Sequence, residues 1–291
     1  MGRDLAERFP VAREVFEEAD DVLGFALSRL AWEGPEDELT LTHNAQPALL
    51  VHSIAVHRVI AERLPEVTLA AGHSLGEFSA YVAAGTISLA DGVRTVRRRG
   101  ELMLRSGQER PGTMAAILGL DDEKLEQVCL DASQDGGVAV AANFNSPGQI
   151  VISGDVPSVQ RAMELAKSAG AKRALPLNVS GAFHSPLMEV AVPGLQAQLD
   201  QVELAAPKFP VISNVTAEPV TDPVDIRRLL LAQLTSPVRW TASMQRAVAL
   251  GVKEFIELGS GSVLSGLLKR IDRGVSGKSI GTAADAEAFP A

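Results

Sequence analysis

The sequence holds a single cysteine, Cys129, so the chain cannot close a disulfide on itself, and a reducing compartment is expected. Aromatic residues make up only 4% of a chain that is 46% hydrophobic, so the core must come from Ala, Val, Leu and Ile. Such a core suits helices packed on a buried sheet and disfavours a β-sandwich. Positive charge is scarce relative to negative. The formal net charge of −9 argues against nucleic acid as a partner. Long apolar runs are missing as well: the stretch at 47–56 is interrupted by His52 and Ser53, so no membrane span and no membrane partner are expected. The opening residues Arg3, Asp4, Glu7 and Arg8 are not those of a signal peptide, and a cytoplasmic protein is the expectation.

What the chain does contain is a serine bracketed by glycines. A short apolar run at 69–71 leads into Gly72-His73-Ser74-Leu75-Gly76, and a helical pattern follows as far as Gly85. Strand, sharp turn and helix, with a serine at the tip, is the context that a nucleophile elbow requires. Both glycines are expected where a side chain would collide as the backbone doubles back. The helix N-terminus beneath the serine offers free N–H groups to an oxyanion.

A nucleophilic serine needs a base within reach. The histidines are His43, His52, His57, His73 and His184. His52 and His57 lie five apart and so on different helix faces, which suits packing and not a metal pair; no metal site is expected. His73 adjoins the serine, but neighbouring side chains leave the backbone in different directions. His184, in a loop between Phe183 and Pro186, is the expected general base. In an ordinary α/β-hydrolase that histidine lies near the C-terminus. Here about a hundred residues follow it, which points away from an esterase and towards a transferase.

The rest of the chain reads as α/β. Helices are expected over 3–30, over 48–63 with Pro47 in the first turn, and over 89–105 with Ser88 as cap. The last of these carries Arg97-Arg98-Arg99. At about 100° per residue Arg98 points opposite the apolar stripe, while Arg97 and Arg99 flank its two edges; periodicity leaves open which of them reaches inward. Composition shifts at Arg110-Pro111-Gly112. From 111 to 180 the order is strand (114–120), helix (121–133), strands (138–143 and 149–153), helix (156–169) and strand (172–179). That βαββαβ order is the ferredoxin-like arrangement, expected as a small subdomain inserted into a core made of 1–110 and 181–291. The core resumes with a helix at 189–201, a buried strand at 210–214, a helix at 226–234 and another from Trp240. A strand at 252–258 then meets a helix at 263–270 across Gly259-Ser260-Gly261, read as a tight turn and not a phosphate cradle. Residues 281–291 are expected to fray.

With the serine elbow, the arginine helix, Asn143-Phe-Asn-Ser-Pro-Gly148 and Ala182-Phe-His-Ser185 in order, the chain resembles the malonyl-CoA:acyl carrier protein transacylases. It is also similar to the acyltransferase domains of polyketide synthases. The resemblance implies an α/β-hydrolase-like core with the inserted subdomain. It also implies transfer of malonyl from malonyl-CoA to the phosphopantetheine thiol of acyl carrier protein, without a cofactor; a monomer is expected. Residue by residue, it makes Ser74 the nucleophile, His184 the base, Gln233 the residue whose backbone carbonyl orients that base, and Leu75 N–H an oxyanion donor. Arg99 matches the arginine that binds the malonyl carboxylate. Phe183 matches malonyl-type members, and Asn143 has a place at the coenzyme A cleft. Relatives carry a strand and a glutamine-rich turn ahead of the position of Met1. A glutamine N–H there supplies the other oxyanion donor, whose loss costs about 100- to 1,000-fold in turnover. The expected alternatives are therefore a discrete polyketide acyltransferase, a serine thioesterase, or an inactive fragment shortened at its N-terminus.

Overall fold

Apolar residues at helical spacing make the opening of the chain a run of helices. In the computed structural model, which describes residues 1–290, they are α1 (Arg3–Arg8), α2 (Pro10–Leu23), α3 (Leu27–Glu33), α4 (Glu36–Thr40) and α5 (Thr42–Ile60). Pro10 opens α2 where its missing N–H costs nothing, and Gly24 ends the helix in the left-handed conformation. Leu5, Val15, Phe16 and Ala19 join Leu50, Val51 and Ile54 in the main core.

α5 begins earlier than the sequence suggests, and Pro47 lies inside it instead of in its first turn. A proline has no N–H for the carbonyl four residues back, here that of His43. Arg97 donates to that carbonyl at 3.0 Å and removes much of the cost. Arg97 sits on α7 (Leu89–Glu109), which Ser88 caps by accepting from the Asp91 N–H at 3.0 Å. The two helices are in close contact at Gly100, where an added Cβ would lie 2.5 Å from His43 Cα and 2.8 Å from the Thr42 carbonyl oxygen.

The central strands are short. β1 (Ala70–Ala71) leads into α6 (Leu75–Ala83) and pairs in parallel with β6 (Val211–Ile212), which pairs antiparallel with β7 (Pro219–Val220). A separate parallel pair joins β8 (Glu254–Leu258) to β9 (Ser276–Ile280). Of the later helices, α10 (Val192–Leu199) and α11 (Pro223–Ala232) pack on each other, α12 (Trp240–Ala249) packs on α13 (Val263–Ile271), and α13 packs on β8 and β9. The glycine-rich turn before α13 is no anion cradle. The Glu257 carboxylate already accepts from the Leu264 and Ser265 N–H groups at 3.0 and 2.8 Å. The end of the chain is ordered where fraying was expected. Thr282 and Asp285 form a capping box for α14 (Ala283–Glu287), and Phe289 is buried under Arg63; Ala291 lies outside the described residues.

Between the two halves of the core lies a second body. It runs β2 (Gly112–Leu118), α8 (Asp122–Ala132), β3 (Ala139–Ser146), β4 (Gln149–Asp155), α9 (Val156–Ser168) and β5 (Arg173–Pro176). Its sheet has the order β3-β4-β2-β5 and is antiparallel throughout. Asp121 and Asp155 cap its helices, which close over a core of their own containing Ile117, Leu125, Ile150 and Ile152. β3 is bulged near Ala141 and Asn143, and there its backbone reaches the main body. Phe144 N–H donates to the Val238 carbonyl at 2.9 Å, and Val238 N–H to that of Ala142 at 2.8 Å. No helix among the described residues is long and apolar enough to cross a membrane.

Gly100→Ala is expected to wedge α5 from α7 and destabilise the protein by about 2 kcal/mol, read as a lower urea midpoint at unchanged slope.

Candidate active site

Ser74 occupies the turn between β1 and α6 with φ 49° and ψ −103°, a strained positive-φ conformation that a residue with a Cβ adopts only when its surroundings impose it. Gly72 makes the turn possible, because a Cβ there would stand 1.9 Å from the Gly76 carbonyl carbon and oxygen. Gly76 itself has open space beside it, so the collision expected at both glycines is confined to the first. Asn214, just after β6, holds both sides of the turn. Its Oδ1 accepts from the Ser74 N–H at 2.7 Å, and its Nδ2 donates to the Gly72 carbonyl at 2.7 Å. Within α6 the Gly76 and Glu77 N–H groups are taken by the carbonyls of His73 and Ser74, while the Leu75 N–H has no acceptor among the described residues.

His184 comes to the serine from the far side of the inserted body. Its Nε2 lies 2.7 Å from Ser74 Oγ, and its Nδ1 lies 2.9 Å from the backbone carbonyl of Gln233, the C-cap of α11. A carbonyl only accepts, so Nδ1 carries the ring hydrogen and Nε2 is left to accept from the serine hydroxyl. The imidazole is buried. That burial, and secondly the positive charge of Arg99, lower its pKa to about 3, so it is neutral and free to take a proton at neutral pH.

The helical wheel left Arg97 and Arg99 unresolved, and packing separates them. Arg97 turns to α5, where it bonds the His43 carbonyl and Asn44, and to Glu101 at 2.9 Å. Arg99 is 1% exposed and points into the site. It donates to Gln46 Oε1 at 2.7 Å, to Gln233 Oε1 at 2.9 Å and to Ser74 Oγ at 3.0 Å, and its carbon sits 5.5 Å from the centre of the Phe78 ring. None of these acceptors is a carboxylate. Burial pulls the arginine down to about 10, which leaves it cationic at neutral pH.

Ser74, His184, Gln233, Leu75 and Arg99 thus meet at one point, and Phe183 adjoins them, half-buried between the main core and the apolar underside of the inserted sheet. Asn143 does not join them. It is buried on β3 and forms no hydrogen bond to this cluster among the described residues. Asn145 is the residue of that strand that reaches the elbow, its Oδ1 2.8 Å from His73 Nε2, with the His73 ring also packed at 5.7 Å on Trp240. The sequence reading missed Asn145, Gln46 and Asn214. A signal existed for the last two, each a polar residue beside an apolar run predicted to be buried; nothing local distinguishes Asn145 from Asn143.

An imidazole NMR titration is expected to keep His184 neutral down to about pH 5, well below an ordinary histidine. Arg99→Met should raise its pKa without restoring the ordinary value, because burial is the larger cause. A His184 resonance titrating near 6.5 in the unaltered protein would contradict this geometry.

The model of the acyl transferase domain family matches residues 1–284 of the chain. The malonyl CoA-acyl carrier protein transacylase of Bacillus subtilis is 50% identical over 273 residues, which is 94% of this chain and 86% of that protein. The protein of the same name from Escherichia coli K12 is 45% identical over 272 residues, 93% of this chain and 88% of that one. Among solved structures, an acyl carrier protein S-malonyltransferase from Vibrio cholerae superposes with a TM-score of 0.95 at 45% identity, covering 99% of this chain and 94% of that one. A malonyl-transacylase in complex with its type II PKS acyl-carrier protein does so with a TM-score of 0.96 at 43% identity, covering 100% and 94%.

Proposed function

The chain belongs to the acyl transferase domain family, and on that premise we propose that it carries malonyl from malonyl-CoA to the phosphopantetheine thiol of an acyl carrier protein for fatty acid synthesis. The observation that carries this reading is Arg99, a buried guanidinium 3.0 Å from the serine oxygen with only neutral acceptors around it. A malonyl group has a carboxylate to offer that cation in bidentate fashion. An acetyl group has none, and would displace the arginine's neutral partners without replacing their hydrogen bonds.

The steps follow from the hydrogen bonds. Ser74 Oγ attacks the thioester carbonyl as its proton passes to His184 Nε2, and the Leu75 N–H faces the oxygen that becomes negative. The coenzyme A sulfur leaves with the proton that His184 returns to it. The carrier thiol then gives its proton to His184, its sulfur attacks the malonyl ester, and Ser74 Oγ departs with that proton. The Gln233 carbonyl holds the imidazole tautomer through both halves and stabilises the ring when it is briefly protonated. Phe183, next to the base, is suited to crowd the α-carbon against an added methyl group. Every group named belongs to one chain, so a monomer suffices and no cofactor is required by these steps. The likeness to a transacylase solved with a type II PKS acyl-carrier protein keeps a polyketide carrier as a second acceptor. Transfer rates to the two kinds of carrier protein separate them.

Intact-mass analysis after brief incubation should reveal a malonyl adduct from malonyl-CoA, none from acetyl-CoA, and none in Ser74→Ala. Arg99→Ala is expected to lower malonyl loading by about 1,000-fold or more and to abolish the preference over acetyl. His184→Ala should slow loading by about 100- to 10,000-fold. Equal adducts from both thioesters in the unaltered protein would sink the role given to Arg99.

A further inference from the structure

Glu77 is an ionisable group buried at this site that acyl transfer leaves without a task. It lies in the first turn of α6 and is 0% exposed. Its Oε2 accepts from Gln233 Nε2 at 2.7 Å and from the Asn214 N–H at 3.2 Å, while its Oε1 has no partner among the described residues. Gln233 therefore stands between opposite charges, its amide oxygen on Arg99 and its amide nitrogen on Glu77. The carboxylate fixes that orientation together with the Ser74 carbonyl, which accepts from the same Nε2 at 3.0 Å. An amide turned the other way would press N–H groups against the guanidinium and oxygen against oxygen.

Charge counting gives this arrangement a consequence. The unloaded site holds one buried cation and one buried anion, separated by a neutral amide. When an acyl carboxylate pairs with Arg99, a second anion enters the same dry volume, and two carboxylates cannot both stay ionised there at little cost. We propose that Glu77 is the counter-charge of Arg99 in the unloaded enzyme, and that it gives up this charge by binding a proton from solvent when the carboxylate of the acyl group settles on Arg99. The proposal rests on the reading of Arg99 given above. Only an O–H bond forms, and water or buffer supplies the proton. Tyr81, one turn further along the same helix, is buried, and its hydroxyl has no partner among the described residues.

The groups around Glu77 are few. From α7 comes Arg99, and from its own helix Tyr81, whose phenol is pushed up by burial and then by Glu77. Gln233 after α11, Asn214 after β6 and Gln46 on α5 are neutral. His184 and His73 are kept neutral chiefly by burial. Burial raises the Glu77 carboxyl to about 7, against the hydrogen bonds from Gln233 and Asn214 and the charge of Arg99, which all pull it down. Pairing Arg99 with a second carboxylate weakens that last pull, so the carboxyl moves further up and protonates at neutral pH.

The test uses Ser74→Ala, which binds without being acylated, and malonyl-pantetheine, a thioester with no phosphate of its own to titrate. Calorimetry at about pH 7.5, in buffers of different ionisation enthalpy, is expected to report uptake of roughly half a proton or more per acyl group bound. Acetyl-pantetheine should cause none, and neither should malonyl-pantetheine with Ser74→Ala/Glu77→Gln. Malonyl affinity should fall by up to about tenfold per unit between about pH 7 and 9 in the single variant and stay level in the double variant. Malonyl-selective binding without proton uptake, or with the same uptake in both variants, overturns the role of Glu77 and leaves that of Arg99 standing. Absence of any preference for malonyl over acetyl overturns the reading of Arg99, and this proposal with it. Should the double variant fail to fold, infrared difference spectra of Ser74→Ala decide. With the ligand carboxylate labelled with ¹³C, a protein band from a protonated carboxyl must appear on adding malonyl-pantetheine, and its absence refutes the proposal.

Discussion

A guanidinium buried without an acidic hydrogen-bond partner is the constraint on which the site depends. Sequestering a charge from water is expensive, and a protein tolerates it only where hydrogen bonds or an opposite charge are at hand. Arg99 has Gln46, Gln233 and the serine oxygen, all neutral, and a carboxylate only at one remove. Its positive charge, after burial, also helps to keep His184 unprotonated, so the residue proposed to select the acyl group also bears on the protonation state of the histidine. Gln233 contributes twice, its backbone carbonyl to the histidine and its side chain to the arginine and Glu77.

The geometry of the nucleophile rests on similarly local causes. Ser74 keeps a strained backbone because the Gly72 and Gly76 backbones touch, and because one asparagine side chain ties both flanks of the turn. α5 carries a proline in its interior because a neighbouring helix supplies a donor for the carbonyl that the proline leaves free. In each case a feature that is costly alone is stabilised by a partner distant in sequence.

That distance explains what could and could not be read in advance. The elbow, the inserted βαββαβ body and the arginine helix were legible because each is written in contiguous residues with a recognisable period or turn chemistry. Arg99 could not be told from Arg97 by the wheel alone, since the difference lies in what α5 and α11 present to the two edges of the stripe. Pro47 looked like a helix start because the donor that lets it sit mid-helix lies on α7. The C-terminal residues looked frayed because small polar side chains hide a capping box and a buried phenylalanine two residues from the end. Asn145 carried no signal because its partner His73 lies far away in the sequence, and the irregularity of β3 around it leaves no mark in the alternation of a short strand.

The contact between Asn145 and His73 also limits how the molecule can move. The inserted body is fastened, through that bond and the Phe144–Val238 backbone pair, to the residue beside the nucleophile and to the loop ahead of α12. An outward swing of the inserted body would have to break these bonds first, so the position of that body is coupled to the turn that carries the serine.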